Sequence, residues 1–543
     1  MNSKRLTPEF SVSVQIRPED MVVIVDQGFR SIICTRPDGE EADQPIAAEI
    51  ATAAEIAGLG FAHIPVKSGA AGGNDAGKMA EALARLPKPV LAYCRSGARA
   101  EALWRAAQMV GQPAEGEAKT YDVVIVGGGS AGIATAASLL KRKPGLGIAI
   151  VEPSDVHYYQ PGWTLVGAGV FKPEVTRRPM ASVMPYGVKW VQAAAAGFAP
   201  GENRVILADG TTLTYRALVI AVGIRLDWEA IPGLAETLGR NGVTSNYRFD
   251  LAPYTEQLSA QLSSGRAIFT QPPMPIKCAG APQKAMYLSC DRWRREGLLG
   301  NISVEFNSAG AVLFGVAAYV PALMRYIERY GINLNLETKL ISVDGAARIA
   351  TFERKTPDGT EIIERDFVML HAVPPQVAPD CVRSSQLVAA SGFVAVDEAT
   401  LQNPLYPNVF ALGDVCSASN AKTAAAARQQ APVVAVNVLA QLADQPLRAA
   451  YTGYGSCPLT VERGRIVLAE FGYGGKLMPT FPAWLLDGTK PTRAAWFLKD
   501  RLLPPIYWQG MLKGREWLAH PAPLKQTVPQ QSWSAAPQNQ RTP

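Results

Sequence analysis

One stretch constrains the fold of this 543-residue chain more than any other: "TYDVVIVGGGSAGIATAASLLKR" at 120–142, followed by "LGIAIVE" at 146–152. A β-branched run, a glycine cluster, an alanine-rich helical pattern and a second apolar run together form a βαβ unit. This order of elements is typical of α/β proteins, and it predicts that the strands lie side by side in a parallel sheet.

The glycines of this unit predict a nucleotide site. Gly127, Gly129 and Gly132 form a G-x-G-x-x-G pattern directly between strand and helix. The first permits a tight turn, the second lets the backbone approach a pyrophosphate, and the third lets the helix pack on the strand. Glu152 ends the second strand 20 residues after Gly132, where a carboxylate can bind ribose hydroxyls. A glycine turn without a nucleotide is disfavoured, because strand, helix and acid occur in the expected order.

Two later segments separate FAD from NAD, which the first glycine loop alone cannot do. "ALVIAVGI" at 217–224, which contains Gly223, and "NVFALGDVC" at 408–416 resemble the characteristic segments of flavoproteins that bind two dinucleotides. In those proteins the second segment places an aspartate on the ribityl chain of the flavin, and the matching residue here is Asp414. Each segment alone is also compatible with a buried strand that ends in a turn. Their order after the glycine loop implies FAD as the cofactor.

The length predicts more than one domain, because 543 residues exceed what one hydrophobic core serves. Short apolar strands alternate with helical patterns before "GQPAEGEAKT", which is polar and rich in Gly, Pro and Glu, as linkers are. We expect an α/β protein with a small N-terminal α/β domain at 1–110, the linker at 111–120, two Rossmann-like halves at 121–460, an amphipathic region at 461–525 and a disordered tail at 526–543.

No segment has the composition of a targeting or membrane-spanning sequence. The start "MNSKRLTPEF" lacks an apolar core, and no run reaches the roughly 18 apolar residues that a membrane span needs. We therefore expect a cytoplasmic protein. The seven cysteines are scattered, with no CxxC and no Cys/His spacing for a metal. This favours individual buried or reactive thiols over disulfides, and no metal site is predicted.

A cysteine stands where a second nucleotide loop would be expected. In "SSGRAIFTQPPMPIKCAGAPQK" at 263–284, the strand "RAIFT" is followed by prolines and Cys278, whereas a loop that admits a pyrophosphate needs glycines. This disfavours NADH as the reductant. Together with Cys416 beside the flavin segment, Cys278 suggests a redox pair. The alternative is that both are small buried residues, a common fate of free cysteine.

Further motifs resemble those of sulfide:quinone oxidoreductases, in particular the branch that includes the mitochondrial enzymes. They are "VHYYQPGWTLVGAG" (156–169), "PIKCAGAPQKAMYLS" (275–289), "AKTAAAA" (421–427), "YTGYGSCPL" (451–459) and "VLAEFGYGGKLMPTFP" (467–482). The resemblance covers roughly 121–521. It implies two Rossmann-like halves, FAD, a cysteine pair that takes the sulfur of sulfide, and a quinone as electron acceptor.

Within that resemblance, Cys278 matches the motif of the family directly. We assign Cys416 as its partner, although Val415 separates it from the Gly-Asp of the flavin segment, and Cys381 is the alternative. The implied chemistry begins with attack of hydrosulfide on a disulfide or trisulfide of the pair, which leaves a persulfide and a thiolate. Three other cysteines are interpreted as structural: Cys34, Cys290 and Cys457.

The N-terminal domain carries its own candidate site in "CRSGAR", where Cys94 opens and Arg99 closes a loop after the strand "PVLAYC". Backbone N–H groups at such a position can form an anion nest and, with Arg95, favour a thiolate. The loop resembles that of rhodanese sulfurtransferases. The block 5–110, with "FRSIICTRPDGEE", resembles the phosphatase-like domain of beta-lactamase-hydrolase-like proteins.

The length of this loop bears on its chemistry. Phosphatases have five residues between Cys and Arg and usually a His before the Cys, whereas this loop has four, and Tyr93 precedes it. We therefore predict that Cys94 accepts or transfers sulfur. A phosphatase with Asp38 as its acid, or a fold without activity, are the alternatives.

The C-terminal segment 481–517 carries four of the ten tryptophans interleaved with Lys and Arg. The nine Lys and Arg and three acids from 471 to 543 account for the whole net charge of +6. Such segments can lie in a membrane interface with their cations on anionic lipid. A dimer surface or a pair of covering helices is the alternative, and nucleic acid is disfavoured because the cations are sparse.

These observations favour an enzyme that oxidises sulfide with FAD and reduces a quinone, bound peripherally to the inner face of a membrane. A thiol, sulfite or cyanide is the expected sulfur acceptor, and a homo-oligomer is compatible with the sequence. The competing hypotheses are an NAD(P)H-dependent flavin reductase of disulfides or quinones with a tyrosine-phosphatase-like domain, and a flavin-bearing sulfide sensor without catalysis.

Overall fold

The computed structural model describes residues 3–41, 43–66, 73–107 and 120–524. The predicted linker at 111–120, apart from its last residue, and the predicted tail at 526–543 lie outside the described residues.

The N-terminal domain is a five-stranded sheet with strand order β1-β2-β5-β3-β4. Its elements are β1 (Ser3–Thr7), β2 (Phe10–Ser13), α1 (Met21–Asp26), β3 (Ser31–Cys34), α2 (Ala47–Ile56), β4 (Gly60–His63), α3 (Gly73–Arg85), β5 (Val90–Tyr93) and α4 (Ala98–Ala107). All pairs are parallel except β1 with β2. Because β5 is central and ends at Tyr93, Cys94 begins the loop at the carboxyl edge of the sheet, before α4.

The segment from 120 to 450 contains most of the remaining elements. Its strands are β6 (Thr120–Val126), β7 (Ile148–Val151), β8 (Val156–Tyr158), β9 (Arg177–Pro179), β10 (Lys189–Val191), β11 (Ala195–Ala199), β12 (Arg204–Leu207), β13 (Thr212–Ile220), β14 (Arg225–Leu226), β15 (Val243–Thr244), β16 (Gly265–Gln271), β17 (Ile302–Ser308), β18 (Asn333–Asn335), β19 (Thr338–Asp344), β20 (Ile349–Thr356), β21 (Gly359–Asp366), β22 (Met369–His371), β23 (Gln376–Val377), β24 (Val409–Ala411) and β25 (Ala449–Ala450). Its helices are α5 (Ser130–Arg142), α6 (Trp163–Val166), α7 (Met180–Val183), α8 (Leu234–Thr237), α9 (Ala252–Gln261), α10 (Ala281–Arg295), α11 (Val320–Arg329), α12 (Asp380–Arg383) and α13 (Ala424–Leu442).

One mainly parallel sheet and one fully parallel sheet organise this segment, as the sequence predicts for an α/β protein with two Rossmann-like halves. The first has the order β10-β7-β6-β13-β12-β11, with β24 also paired to β13, and only β11 and β12 run antiparallel to their neighbours. The second has the order β15-β22-β16-β17-β18 and is parallel throughout. It is inserted in the chain between β13 and β24, so residues far apart in sequence complete the first sheet.

The C-terminal region begins with an antiparallel sheet and continues as a run of short helical turns. Its elements are β26 (Gly455–Glu462), β27 (Arg465–Phe471), β28 (Pro491–Thr492), α14 (Arg493–Phe497), wide turns at Leu498–Leu502 and Ile506–Gly510, α15 (Leu503–Pro505) and β29 (Ala522–Pro523). The predicted boundary at residue 460 falls inside β26, which pairs along its length with β27. The hydrogen bonds of this antiparallel pair join the residues on both sides of the predicted boundary. Within the described residues, no helix is long and apolar enough to span a membrane.

Candidate active site

The glycine loop between β6 and α5 has the shape that a pyrophosphate site requires. Gly127 has a φ of +109°, and a side chain there would meet the backbone of Ala221. A side chain at Gly132 would meet the carbonyl oxygen of Gly127, so α5 can approach the loop only with glycine at that position. At Gly129, by contrast, a side chain would point into open space. The geometry at each glycine is compatible with the role inferred from the sequence, and the loop has the shape that a dinucleotide would need.

The loop borders a cavity with a volume of about 560 Å³ that extends to Cys278. Four of the residues singled out in the sequence line it besides Gly127 and Gly129: Glu152, Gly223, Cys278 and Asp414. Two backbone N–H groups, of Gly128 and Ser154, each donate to the Glu152 carboxylate at 2.8 Å. The first turn of α13 also lines the cavity, so the positive end of that helix dipole faces it.

The sulfur nearest to Cys278 belongs to Cys457. The two Sγ atoms lie 3.5 Å apart, and the Lys284 ammonium donates to the Cys278 sulfur at 3.2 Å. Two elements create this cluster: Cys278 precedes α10 and Lys284 lies on it, while Cys457 lies on β26, which packs against that helix. A side chain at Gly280 would collide with the Cys457 sulfur at 2.7 Å, so only glycine permits the approach.

The environment makes the two thiols unequal. The hydrogen bond from Cys457, and after it the Lys284 ammonium, lower the pKa of Cys278 well below its usual range despite burial. The same sulfur contact, together with burial, raises the pKa of Cys457 well above its usual range. Cys278 also has a φ of +81°, a backbone conformation that residues other than glycine rarely adopt. Residues in such conformations cluster at functional sites. The arrangement favours a Cys278 thiolate beside a Cys457 thiol.

A second lysine enters the cavity from the C-terminal region. Lys499 is 4% exposed and donates to the Pro161 carbonyl at 3.2 Å. Burial, and then the nearby Lys284 ammonium, lower the pKa of Lys499 to about 7. The Cys278 sulfur therefore lies in the field of two buried lysines, one of which can lose its proton near neutral pH.

The structure does not bring Cys416 next to Cys278. The Cys416 thiol is fully buried in the core of the first sheet, where it donates to the Gly413 carbonyl at 3.2 Å, and burial raises its pKa. Cys381 packs against the same core, and burial raises its pKa to about 11. Our choice of Cys416 rested on its place beside the flavin segment, and this proximity in sequence does not become a contact with Cys278 when the two sheets pack. The alternative, Cys381, was offered by its proline-flanked segment "APDCVRSS".

Cys457, which we interpreted as structural, is the residue that sequence reasoning missed. It occupies a buried position of an alternating strand, so its local pattern is that of any core residue. The available signal was its place inside "YTGYGSCPL", one of the motifs that carry the family resemblance. Lys284 had the same signal, because it lies inside the motif at 275–289, whereas Lys499 lies outside the motifs that carry the resemblance.

In the N-terminal domain the Gly97 N–H donates to the Cys94 sulfur at 3.1 Å. Arg99 does not extend freely over the loop, because both of its terminal nitrogens donate to the Glu40 carboxylate, at 2.7 and 2.9 Å. Asp38, the candidate acid of a phosphatase, accepts the Ala47 N–H at the start of α2. The loop thus holds a buried cysteine and an arginine whose guanidinium is already paired with the Glu40 carboxylate.

Two family descriptions match the chain: Beta-lactamase hydrolase-like protein, phosphatase-like domain, at residues 2–111, and Pyridine nucleotide-disulphide oxidoreductase, at residues 121–258. The mitochondrial sulfide:quinone oxidoreductase of Dictyostelium discoideum is 41% identical over 396 residues, which cover 72% of this chain and 86% of that protein. The corresponding protein of Mus musculus is 38% identical over 395 residues, which cover 73% of this chain and 87% of that protein.

A solved structure extends the likeness to the fold. The sulfide:quinone oxidoreductase of Aquifex aeolicus superposes with a TM-score of 0.60 over 72% of this chain and 92% of that one, at 21% identity.

Proposed function

Because the chain belongs to the sulfide:quinone oxidoreductase family, we propose that Cys278 and Cys457 are the pair at which it oxidises sulfide. The family resemblance predicted from the sequence is confirmed, and with it the activity: the protein oxidises sulfide and passes the electrons to a quinone. The observation that carries the assignment of the pair is the contact between these two sulfurs, with Cys278 at the wall of the cavity that begins at the glycine loop.

The unequal pKa values give each cysteine a role. Hydrosulfide attacks the sulfur of Cys457 in the oxidised pair, the bond to Cys278 breaks, and Cys278 leaves as the thiolate. The thiol with the lower pKa leaves faster, and Lys284 stabilises the charge that develops on it. The products are a Cys457 persulfide and a Cys278 thiolate that lines the cavity.

The acceptor removes the outer sulfur of the Cys457 persulfide, and the pair is then reoxidised. With a thiol as acceptor, one H₂S, one thiol and one quinone yield one hydropersulfide and one quinol, so two electrons and two protons reach the quinone. The 3.5 Å between the sulfurs exceeds the roughly 2.05 Å of a disulfide bond and is close to the span of one bridging sulfur atom, about 3.3 Å. The oxidised pair therefore has room for a disulfide or a trisulfide.

The family and the matched oxidoreductase domain imply a flavin, and we assign it as FAD. The glycine loop would hold the pyrophosphate, Glu152 a ribose, and Asp414 with the first turn of α13 the ribityl chain and ring. Bound there, FAD supplies the two-electron carrier between the cysteine pair and the quinone. Lys422 fixes the Asp414 segment by donating to the carbonyl oxygens of Asp414 and Cys416, at 2.7 and 2.8 Å.

Anaerobic titration tests this function directly. We expect sulfide to bleach the flavin absorbance of the purified protein stoichiometrically and a soluble quinone to restore it, whereas NADH should leave it unchanged. Bleaching by NADH without sulfide would instead support the NAD(P)H-dependent reductase. Bleaching by neither reagent would support a sensor without catalysis.

For the N-terminal domain, the geometry favours sulfur transfer over phosphate-ester cleavage. A phosphatase uses the guanidinium of its loop arginine to bind the oxygens of a phosphoryl group. In this loop both terminal nitrogens of the Arg99 guanidinium already donate to the Glu40 carboxylate. A single sulfur atom is smaller and needs only the Cys94 thiolate and the N–H that faces it. In the proposed step, the Cys94 thiolate takes the outer sulfur of a persulfide, which releases the donor as a thiolate.

Replacement of Cys94 by serine is expected to leave sulfide-driven flavin bleaching unchanged and to prevent addition of sulfur to this loop. Mass spectrometry after sulfide turnover should find a gain of one sulfur atom on the Cys94 peptide of the wild-type protein. Cys34→Ala, which removes a buried thiol of the same domain, is the control and should keep that modification. A Cys94 peptide that never gains sulfur, together with Cys94-dependent hydrolysis of aryl phosphates, would support the phosphatase.

We further propose that the C-terminal segment 481–518 binds a membrane surface, on the inner, cytoplasmic face. It exposes large apolar side chains, among them Trp484 (85%), Leu485 (57%) and Leu518 (67%), and it also carries exposed cations such as Lys490. The same segment contributes Phe481 and several leucines to the wall of the cavity. A quinone dissolved in the bilayer would therefore meet the cavity at this surface.

The double substitution Trp484→Asp and Leu485→Asp should weaken binding to vesicles of anionic phospholipid by about tenfold or more, because it removes two apolar side chains from the interface. Activity with a long-chain quinone in vesicles should fall with it, while activity with a soluble quinone stays close to that of the wild type. Leu405→Asp, at an exposed leucine outside the segment, is the control. Equal losses with both quinones would argue for a folding role. Substitutions are preferable to deletion, which would also remove Lys499 from the cavity.

A further inference from the structure

One tyrosine of the C-terminal region joins the two ends of the glycine loop. The Tyr507 hydroxyl lies 2.7 Å from the Ser130 Oγ, at the start of α5, and 2.6 Å from the His157 Nε2. The other ring nitrogen of His157, Nδ1, lies 3.1 Å from the carbonyl oxygen of Gly128. Tyr507 and His157 are both buried, with 4% and 2% exposure. A side chain 377 residues downstream of the loop thus completes its hydrogen bonds.

The donors of this chain can be assigned from chemistry. Burial lowers the pKa of His157 to about 4, so the ring is neutral at pH 7 and carries one N–H. The Gly128 carbonyl can only accept, so that N–H is on Nδ1, and Nε2 must accept from the Tyr507 hydroxyl. Ser130 must then donate to Tyr507. All three bonds run in one direction, from Ser130 to Gly128, and replacing Tyr507 by phenylalanine would break two of them.

The segment around Tyr507 is anchored to the helix that follows the loop. The Glu516 carboxylate accepts from the Arg142 guanidinium at 2.5 and 2.8 Å and from the Ser138 hydroxyl at 2.6 Å. These two residues lie in the third and fourth turns of α5, while Ser130 begins its first turn. The C-terminal segment therefore holds α5 at both ends, and the position of Tyr507 over the loop is fixed.

The first turn of α5 needs such support because it lacks a cap of its own. Gly129 occupies the cap position and has no side chain that could accept the free N–H groups of that turn. Those N–H groups are the donors that a pyrophosphate would use. The direction of an N–H group depends on the peptide planes of residues 128–130, and the chain of bonds through Tyr507 holds the Gly128 carbonyl and the Ser130 side chain.

We propose that Tyr507 is a positioning residue for the flavin: through Ser130 and His157 it holds the glycine loop in the conformation that binds the pyrophosphate. The inference rests on the proposed FAD site and extends it to a residue outside both Rossmann-like halves. It makes retention of the cofactor depend on the C-terminal segment, whose outer side carries the exposed apolar residues of the proposed membrane surface. The segment thus has a cofactor-facing and a lipid-facing role.

The test compares two tyrosine-to-phenylalanine substitutions. Tyr507→Phe removes a hydroxyl with two partners, whereas Tyr215→Phe removes a hydroxyl that is equally buried in the same core but has no hydrogen-bond partner among the described residues. FAD-free full-length protein is titrated with FAD, and the quenching of flavin fluorescence gives the dissociation constant. We expect Tyr507→Phe to raise that constant by about tenfold, and Tyr215→Phe by less than about twofold.

Thermal unfolding separates positioning from simple stability. Tyr507→Phe should lower the unfolding midpoint of the FAD-loaded protein more than that of the FAD-free protein. Ser130→Ala should weaken FAD binding too, and the double variant should lose less than the product of the two single effects, because both act through one chain of bonds. If either Tyr507→Phe or Ser130→Ala folds poorly, FAD binding by the other variant still tests the inference.

FAD binding by Tyr507→Phe within about twofold of the wild type, or equal destabilisation of the FAD-loaded and FAD-free forms, would overturn the inference while leaving the FAD site in place. A wild-type protein that takes up no FAD would overturn the proposed cofactor, and this inference with it.

Discussion

Replacement of either Cys278 or Cys457 by serine should leave a yellow, folded protein that sulfide no longer bleaches. Neither variant retains both the sulfur that accepts hydrosulfide and the thiolate that leaves, so flavin reduction should slow by about a thousandfold or more. Anaerobic stopped-flow mixing with sulfide measures the rate, and the absorbance of the resting protein reports that FAD is still bound.

Cys416→Ser is the matched control, because it alters a buried thiol that donates to the Gly413 carbonyl. We expect its bleaching rate to stay near that of the wild type. Full activity of Cys457→Ser combined with an inactive Cys416→Ser would contradict the assignment, since it would require a rearrangement that brings the core of the first sheet to Cys278. Equal inactivity of all three variants with loss of FAD would point to a defect in folding.

Gly129→Val should produce a folded protein that contains almost no flavin. The backbone at this position has a φ of −73°, which valine tolerates, and a Cβ atom there would have no atom of the described residues within 4 Å. The added methyl groups would therefore enter the cavity where the pyrophosphate must approach the backbone. We expect FAD binding to weaken by more than about a hundredfold, because the closest backbone contact of the cofactor is lost.

Circular dichroism and the flavin content after gel filtration check this expectation together. Gly197→Val is the control: that glycine also has open space for a side chain, but it lies in β11 and does not line the cavity. It should keep its flavin. A Gly129→Val protein with normal flavin content would show that the cofactor does not bind along this loop.

The βαβ unit could be predicted from sequence because its determinants are local. The apolar run of β6, the positive φ at Gly127 and the close approach of Gly132 to Gly127 all depend on residues within a few positions of one another. The position of Cys94 at the end of a central strand is local in the same sense, and the structure places it there. Local features of this kind can be recognised in a sequence from the spacing of the residues that form them.

The cysteine pair could not be predicted in the same way. Cys278 and Cys457 are 179 residues apart, and their contact depends on the packing of β26 against α10 and on the absence of a side chain at Gly280. In sequence, Cys457 has the alternating pattern of a buried strand residue, which it also is. Cys416 had the better sequence argument, because it follows the flavin segment, but that segment ends in the core of the other sheet.

The sequence by itself determined the α/β fold, the nucleotide loop and the family, since these depend on short-range periodicity and on motifs several residues long. Only the tertiary structure decided which sulfur faces Cys278, which lysines set its charge, and that Tyr507 reaches back to the glycine loop. The physical reason is that a thiolate, an ammonium and a hydroxyl act through distances of about 3 Å. Distances of that size between remote segments are fixed by how whole helices and sheets pack, and no local pattern records them.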